Sequence, residues 1–402
     1  MPRFESLGQK IFDPNHMKQL INSLPTASLL NRLYQQKGGT VGLDNLGNTC
    51  YFNSVLQCLR HMMPLNLYLF SRKVEPVLEK NIYIHSDPKK VLEQQGCIAL
   101  VVAYVHTLAR LWGCGYISTN PSQLKFVFDS LNESFRDRGQ HDAHECLVSI
   151  LNSLHEGLSR KVIYTFSGQV INDFDRQIQQ AQNDWKKQYQ ERHSIILDIF
   201  GGQFQTKCVC FQCNQPSYRF DPFLAIELPL PTDISKIAPV SYTLTECLTK
   251  YVEPERLSLS NYRSCEHCKR KTPGYKVQSI WTLPNVLIIS LKRFNKNYNN
   301  GHYESHKIED FIHYPLTGLN LSKFVSNPNT HNDHALYDLF GVICHRGNED
   351  HGHYYAYCYN TLRQNWYTFN DSQVTEMFNH NMIITKDAYI LFYQKQGIAF
   401  YP

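Results

Sequence analysis

Cys50 ends the stretch Gly42-Leu43-Asp44-Asn45-Leu46-Gly47-Asn48-Thr49-Cys50, which is dense in turn-forming residues, and an apolar stripe starts directly after it. Phe52, Val55, Leu56, Leu59, Met62 and Met63 recur at helical spacing, so the thiol is predicted at the first turn of an amphipathic helix. Unpaired N–H groups and the macrodipole favour thiolate over thiol at such a terminus, and a thiolate is a nucleophile. The alternative is the role of most free cysteines, a small buried hydrophobe. A cysteine nucleophile needs a base, and the base needs an orienter. His353 lies between Gly352 and the aromatic run Tyr354-Tyr355-Ala356-Tyr357, where it would project from the start of a strand. Downstream, Asn370 or Asp371 would accept the Nδ1–H of His353 and hold its tautomer, although Asn370-Asp371-Ser372 by itself reads as a turn. An acyl-transfer oxyanion needs donors too. The Cys50 main-chain N–H and the Asn45 side-chain amide would supply them if the loop folds back.

A second constellation has metal-ligand spacing. Cys210-x-x-Cys213 and Cys265-x-x-Cys268 form two knuckles, each flanked by polar residues. Paired knuckles place four thiolates around a tetrahedral Zn²⁺ and leave no open position for water, so a structural site is expected. Cys208 offers a competing ligand, but the 210/213 spacing mirrors 265/268. Disulfide or redox pairing is the alternative. Gln140-His141-Asp142-Ala143-His144-Glu145 reads as a helix N-terminus with Asp142 as cap and Glu145 in the first turn; in a cleft wall the same carboxylates would meet a basic ligand.

These residues must be positioned by elements far apart in sequence. The 402 residues are 42% hydrophobic and 19% charged, which excludes wholesale disorder. A net charge of +5 is too mild for nucleic acid to be the main ligand, and direct nucleic-acid binding is not expected. The longest apolar run, Cys97 to Tyr104, is too short to span a bilayer, so no membrane association is expected. Residues 1–40 lack an apolar signal core and read as an appended arm with one short helix, closed by Gly38-Gly39. With 13 cysteines and no export signal, reduced thiols or a metal site are expected rather than a disulfide framework. From Val41 to about Lys161 the texture is helical, including a helix that begins near Asp142. Residues 173–193 form a polar insert, either a solvated helix or a loop. From Ile195 onward strands are predicted, among them Phe223–Leu228, Val286–Leu291, Leu339–Ile343, Tyr354–Tyr357 and Tyr389–Tyr393. Helices first and strands later, without alternation, indicate an α+β domain with a mostly antiparallel sheet.

Taken in order, the segment around Cys50, Gln140–Glu145, the two knuckles, Ser290-Leu291-Lys292-Arg293-Phe294, Gly352-His353-Tyr354 and Trp366…Phe369-Asn370-Asp371 resemble the ubiquitin-specific protease family of deubiquitinating cysteine proteases. The resemblance runs from about Val41 to Gln394. It implies a papain-like fold with a thumb over about 41–195 and zinc-tipped fingers interleaved with a palm over about 196–396, as one catalytic domain over 41–396. It implies hydrolysis of bonds at the ubiquitin C-terminal glycine, with Cys50 as nucleophile, His353 as base, Asn45 as oxyanion donor and Asn370 or Asp371 as orienter. Asp142 and Glu145 match residues that hold the arginine-containing ubiquitin tail, and Phe294 and Tyr354 match positions beside the narrow channel for its paired glycines. Phe220-Asp221-Pro222-Phe223-Leu224 and Leu391-Phe392-Tyr393-Gln394-Lys395-Gln396 look similar to the catalytic subunits of the SAGA histone-deubiquitinating module. That likeness implies ubiquitinated histones among the substrates, adaptor subunits as partners, and a nuclear or cytoplasmic location. The rival expectations are a protease-like fold that holds ubiquitin without cutting it, and a zinc-ribbon scaffold with a buried, inert Cys50.

Overall fold

The computed structural model describes residues 13–25, 38–113, 115–166, 168–231, 240–257, 261–299, 302–330, 335–348 and 351–398; most of the arm over 1–40 lies outside them. From Cys50 to Phe200 the described elements are mainly helical. The helix Cys50–Arg60 is buried on every face, including Asn53, Ser54, Gln57 and Arg60, so its apolar stripe understates its burial. The helix Pro88–Leu111 is started by Asp87, whose side chain accepts the Lys89 N–H at 2.9 Å, and by Pro88 in the first turn. It is long and apolar enough to cross a membrane, yet 72% of its apolar window is buried inside the protein, which makes it a core helix. It lies close against Ala143–Leu158. A Cβ on Gly157 would come within 2.8 Å of the Cys97 carbonyl. The polar insert is a helix, Asp173–Tyr189, begun by a capping box in which Asn172 and Asp175 bond reciprocally; only its Ala181 is buried.

The strands form a central sheet in the spatial order Gln373–Met377, Asn365–Asn370, Gly352–Asn360, Leu336–Gly347, Ala388–Lys395, Val286–Lys292, Ile226–Pro229. All neighbours are antiparallel except the last pair. Val286 and Ile288 face the helices while Leu287, Ile289 and Leu291 face a second apolar cluster. This explains an apolar run without alternation, because both faces of the strand are covered. A smaller sheet projects from the centre, ordered Pro216–Phe223, Gly202–Cys210, Gly274–Thr282, Glu255–Leu257. The expected strand Phe223–Leu228 is therefore two strands. Phe223 ends one in the smaller sheet, the chain bends at Leu224-Ala225, and Ile226 begins another in the central sheet. Pattern alone cannot mark such a switch, since both sheets bury this run.

The short helix of the arm is Pro14–Asn22, and its Met17, Leu20 and Ile21 are buried in the main core. Residues 38–41 then cross Arg60, a fully buried guanidinium held by carbonyls. It donates to Val41 (2.9 Å), Leu111 (3.2 Å) and Gly39 (2.9 Å) and lies over the Phe369 ring at 4.7 Å. The side chain thus joins the segment 38–41, the end of the core helix and the sheet. Arg60→Met should lower the unfolding free energy by about 3 kcal/mol or more in urea denaturation, since three buried carbonyls lose their donor.

Candidate active site

Cys50 is the first residue of its helix and is 3% exposed. Thr49 precedes it without capping the helix. Its hydroxyl accepts the Leu46 N–H (2.8 Å) and bonds to Asn45 Oδ1 (3.3 Å), which leaves the first-turn N–H groups without a side-chain cap. Asn45 Oδ1 also accepts the N–H groups of Gly47 (2.9 Å) and Thr49 (3.2 Å), so the loop closes around one carboxamide. Gly47 and Asn48 take φ values of 101° and 54°, a conformation that glycine and asparagine adopt at least cost. Upstream, a Cβ on Gly42 would fall 2.4 Å from the Ser372 carbonyl oxygen, so only glycine lets this segment lie against the turn that follows Asn370.

His353 is the second residue of the strand Gly352–Asn360, and its ring lies close enough to Cys50 to interact with the thiol. Its Nε2 is 2.6 Å from Asn370 Oδ1, leaving Nδ1 as the nitrogen available to the thiol. The ring is therefore turned opposite to the sequence expectation, in which Nδ1 met the orienter. Ala356 pairs with Phe369, so Asn370 falls further along the strand than His353, and the imidazole meets it with its tip. Asp371, the other candidate orienter, faces elsewhere. Its carboxylate accepts from Asn45 Nδ2 (2.9 Å) and Asn53 Nδ2 (2.8 Å), and its carbonyl accepts the Leu43 N–H (2.8 Å). Interaction with the Cys50 sulfur, aided by Asn370 and the negative charges of Cys50 and Asp371, pushes the His353 imidazole up to about 9 against the effect of burial. This pairing can hold a thiolate beside an imidazolium, the reactive form of a cysteine nucleophile.

A cleft of about 520 Å³ opens nearby, with Glu145, Lys292, Phe294, Tyr354 and Tyr389 in its wall. Glu145 is exposed, whereas Asp142 is already engaged: Oδ1 caps the helix by accepting from His144 (2.7 Å) and Glu145 (3.0 Å), and Oδ2 accepts from Tyr389. Tyr354 and Phe294 pack against buried His345, at 4.5 Å and 5.3 Å between ring centroids, and Tyr389 packs against both of them. Burial holds the His345 imidazole down at about 4, so it stays neutral there. Sequence reasoning missed Asn53 and Tyr389. Asn53 carried a signal, a polar side chain on the apolar face next to the nucleophile; Tyr389 carried none, lying within a strand of aromatic and apolar residues.

The four knuckle cysteines come together, their sulfurs all within 4.8 Å of one another. Cys210 and Cys268 sulfurs are 3.9 Å apart and those of Cys213 and Cys265 are 3.6 Å apart. Four sulfurs at ~2.3 Å from one tetrahedral centre would be separated by about 3.8 Å, so the cluster fits a metal ion. The knuckles share a backbone plan. Asn214 and Lys269, each directly after the second cysteine, have φ of 58° and 55°, and their N–H groups bond to the carbonyls of Cys210 and Cys265. Cys208 is not part of the cluster, and every described cysteine is free of disulfides.

The sequence pattern of the ubiquitin carboxyl-terminal hydrolase family matches residues 41–393. Ubiquitin carboxyl-terminal hydrolase 2 of Homo sapiens is 31% identical over 357 residues, covering 89% of this chain and 55% of that protein. The chain thus spans about half the length of the first curated relatives it matches. The Gallus gallus protein of the same name is 30% identical over 358 residues and is covered to 93% of its length. Among solved structures, the SAGA Ubp8/Sgf11/Sus1/Sgf73 DUB module bound to ubiquitin aldehyde superposes with a TM-score of 0.65 at 25% identity, covering 90% of this chain and 71% of that one. The helical layer, the central sheet and the projecting sheet with its Cys₄ knuckles are the thumb, palm and fingers of a papain-like α+β fold, and this chain belongs to the ubiquitin carboxyl-terminal hydrolase family.

Proposed function

We propose that this chain is a cysteine-type deubiquitinase that hydrolyses isopeptide, ester and thioester bonds at the C-terminal glycine of ubiquitin on protein conjugates. The observation that carries this reading is the convergence of three distant residues: Cys50 at the start of a helix, His353 close enough to interact with its thiol, and Asn370 hydrogen-bonded to the far nitrogen of the same ring. The names of the curated relatives and the ubiquitin aldehyde in the Ubp8 complex support it.

The Cys50 thiolate attacks the glycine carbonyl, forming a C–S bond. His353 gives its Nδ1 proton to the departing lysine nitrogen as the C–N bond breaks. Water then attacks the thioester, His353 takes its proton, and the thiolate leaves. The Cys50 main-chain N–H and the remaining Nδ2 hydrogen of Asn45 would serve as the oxyanion donors, with Asp371 fixing Asn45 by accepting its other Nδ2 hydrogen. Asn370 holds the ring through Nε2. Asp142 and Glu145 give the cleft negative charge for a basic ubiquitin tail, with Asp142 also fixing the helix start, and Phe294 and Tyr354 narrow the path for its glycines.

Cys210, Cys213, Cys265 and Cys268 would hold a structural Zn²⁺, which ties the two knuckles of the fingers together and takes no part in the chemistry. The domain reading is a catalytic unit over 41–396, thumb about 41–195 and fingers with palm about 196–396, preceded by an extension over 1–40. Ubiquitin and ubiquitinated proteins are the partners, with adaptor subunits of a SAGA-like module by analogy with the Ubp8/Sgf11/Sus1/Sgf73 assembly; histones among the substrates and a nuclear or cytoplasmic setting follow from the family resemblance of the sequence. Neither silent rival gains support, since each of the positions needed for cleavage holds a residue able to do its part.

Purified chain should release the fluorophore from a ubiquitin C-terminal amide and label with a ubiquitin C-terminal electrophile, and Cys50→Ala should abolish both; an inert wild-type thiol would sink the proposal. Activity needs His353 protonated, so it should hold as pH rises and fall with an alkaline limb near 9. Asn370→Ala removes an interaction that raises His353, so that limb should move to lower pH in a kcat/KM profile. Cys265→Ser should release zinc and lower the melting temperature; zinc retention with unchanged stability would count against a structural Cys₄ site.

A further inference from the structure

Gln140 lies in the loop before the helix Ala143–Leu158, and its carboxamide meets both main-chain groups of Gly352, the residue before His353. Nε2 donates to the Gly352 carbonyl and Oε1 accepts the Gly352 N–H, each at 2.8 Å. An amide that donates and accepts at one residue does what a facing strand would do. The neighbouring strand Asn365–Asn370 pairs with Ala356 to Asn360 and stops short of the first residues of the histidine strand. On the other side Gly352 pairs with Gly347 of the strand Leu336–Gly347, and a Cβ on Gly352 would come within 2.0 Å of His345 Nε2, so the position is closed to a side chain.

The loop that carries Gln140 is itself tied to the nucleophile. Asn48, two residues before Cys50, donates to the Arg138 carbonyl at 2.9 Å. His141 bonds to Asp137 at 2.7 Å, and its ring packs edge-on against Tyr51, the residue after Cys50, with centroids 5.3 Å apart. One short loop therefore touches the chain neighbours of Cys50 through Arg138 and His141 and that of His353 through Gln140 between them.

We infer that Gln140 is a positioning residue for the proposed hydrolysis: by clamping Gly352 it sets the placement of the His353 ring relative to Cys50. The inference rests on the deubiquitinase reading; Gln140 also lines the cleft, and the role inferred here is the one it exerts through Gly352. A clamp of this kind acts through distance, and a misplacement of about 1 Å between reacting groups is enough to cost on the order of a hundredfold in rate.

The test compares wild type with Gln140→Ala and Gln140→Glu in two assays: turnover of a ubiquitin C-terminal amide, and the pH dependence of Cys50 alkylation by iodoacetamide, which needs no ubiquitin. Gln140→Ala should lower kcat by about tenfold or more with KM within about twofold. It should also shift the alkylation profile, because the thiol loses its fixed imidazole. Gln140→Glu keeps the acceptor for the Gly352 N–H and loses the donor, so its kcat should fall between the two. Melting curves confirm that each variant is folded; should Gln140→Ala unfold, the Glu variant decides by the same readouts. Wild-type kcat and an unchanged alkylation profile in a folded variant overturn the inference. So does a lost kcat with an unchanged profile, which would place Gln140 on the substrate. A wild-type chain that alkylates normally yet never turns over the amide would instead refute the deubiquitinase reading, while the alkylation arm still decides the clamp.

Discussion

A sulfur on a helix and an imidazole on a sheet act together only while the helix and the sheet hold one fixed relation. In this protein the relation is set by the apolar interface that runs from Phe52 and Val55 on the cysteine helix to Ala356 and Cys358 on the histidine strand. Deeper in the same interface Cys58 and Cys358 touch, sulfur to sulfur at 3.8 Å, and burial pushes the Cys58 thiol well up, so these thiols serve as packing rather than chemistry. Even a Cβ on Gly341 would meet the Cys58 sulfur at 3.3 Å. The interior is packed closely enough that the site inherits its precision from the core.

The turn at Asn370-Asp371 serves both halves of the site. Asn370 faces the imidazole, and Asp371 faces the nucleophile loop through Asn45 and Asn53. Adjacent residues can point to opposite sides here because Asp371 adopts a φ of 50°, which reverses the chain within one residue. An asparagine and an aspartate are suited to this turn, since their short side chains bond locally and tolerate that conformation. The charge on Asp371 also acts at a distance, adding to the forces that keep His353 protonated.

The knuckles follow a different logic, in which most of the geometry is local. Each CxxC turn bends its chain through a left-handed residue and directs an N–H at its first sulfur: Gln212 toward Cys210 and Cys268 toward Cys265, both at 3.4 Å. The two turns are brought together by the ladder of Gly202–Cys210 against Gly274–Thr282, in which Cys210 pairs with Gly274. A Cβ on Gly274 would press to 2.3 Å from the Val209 carbonyl, so the strands close at that point only around glycine.

What could be read without coordinates was whatever depends on neighbours in the chain. The helix start at Cys50, the cap at Asp142, the paired knuckles and the strands around Val286, Tyr354 and Tyr389 all follow from spacing, turn chemistry and burial pattern. The helix over 173–189 stayed ambiguous with a loop, because its apolar stripe of Phe174, Ile178, Ala181 and Trp185 is one residue wide in an otherwise polar sequence, and only Ala181 is fully buried. Only the folded chain decided which nitrogen of His353 meets Asn370, that Asp371 belongs to the nucleophile loop, that Phe223–Leu228 divides between two sheets, and that Gln140 holds Gly352. Each of these is a relation between residues tens to hundreds of positions apart, or a choice between faces equally buried, and no local periodicity encodes it. Sequence names the groups able to react; the packing of helix on sheet fixes the distances and directions at which they meet.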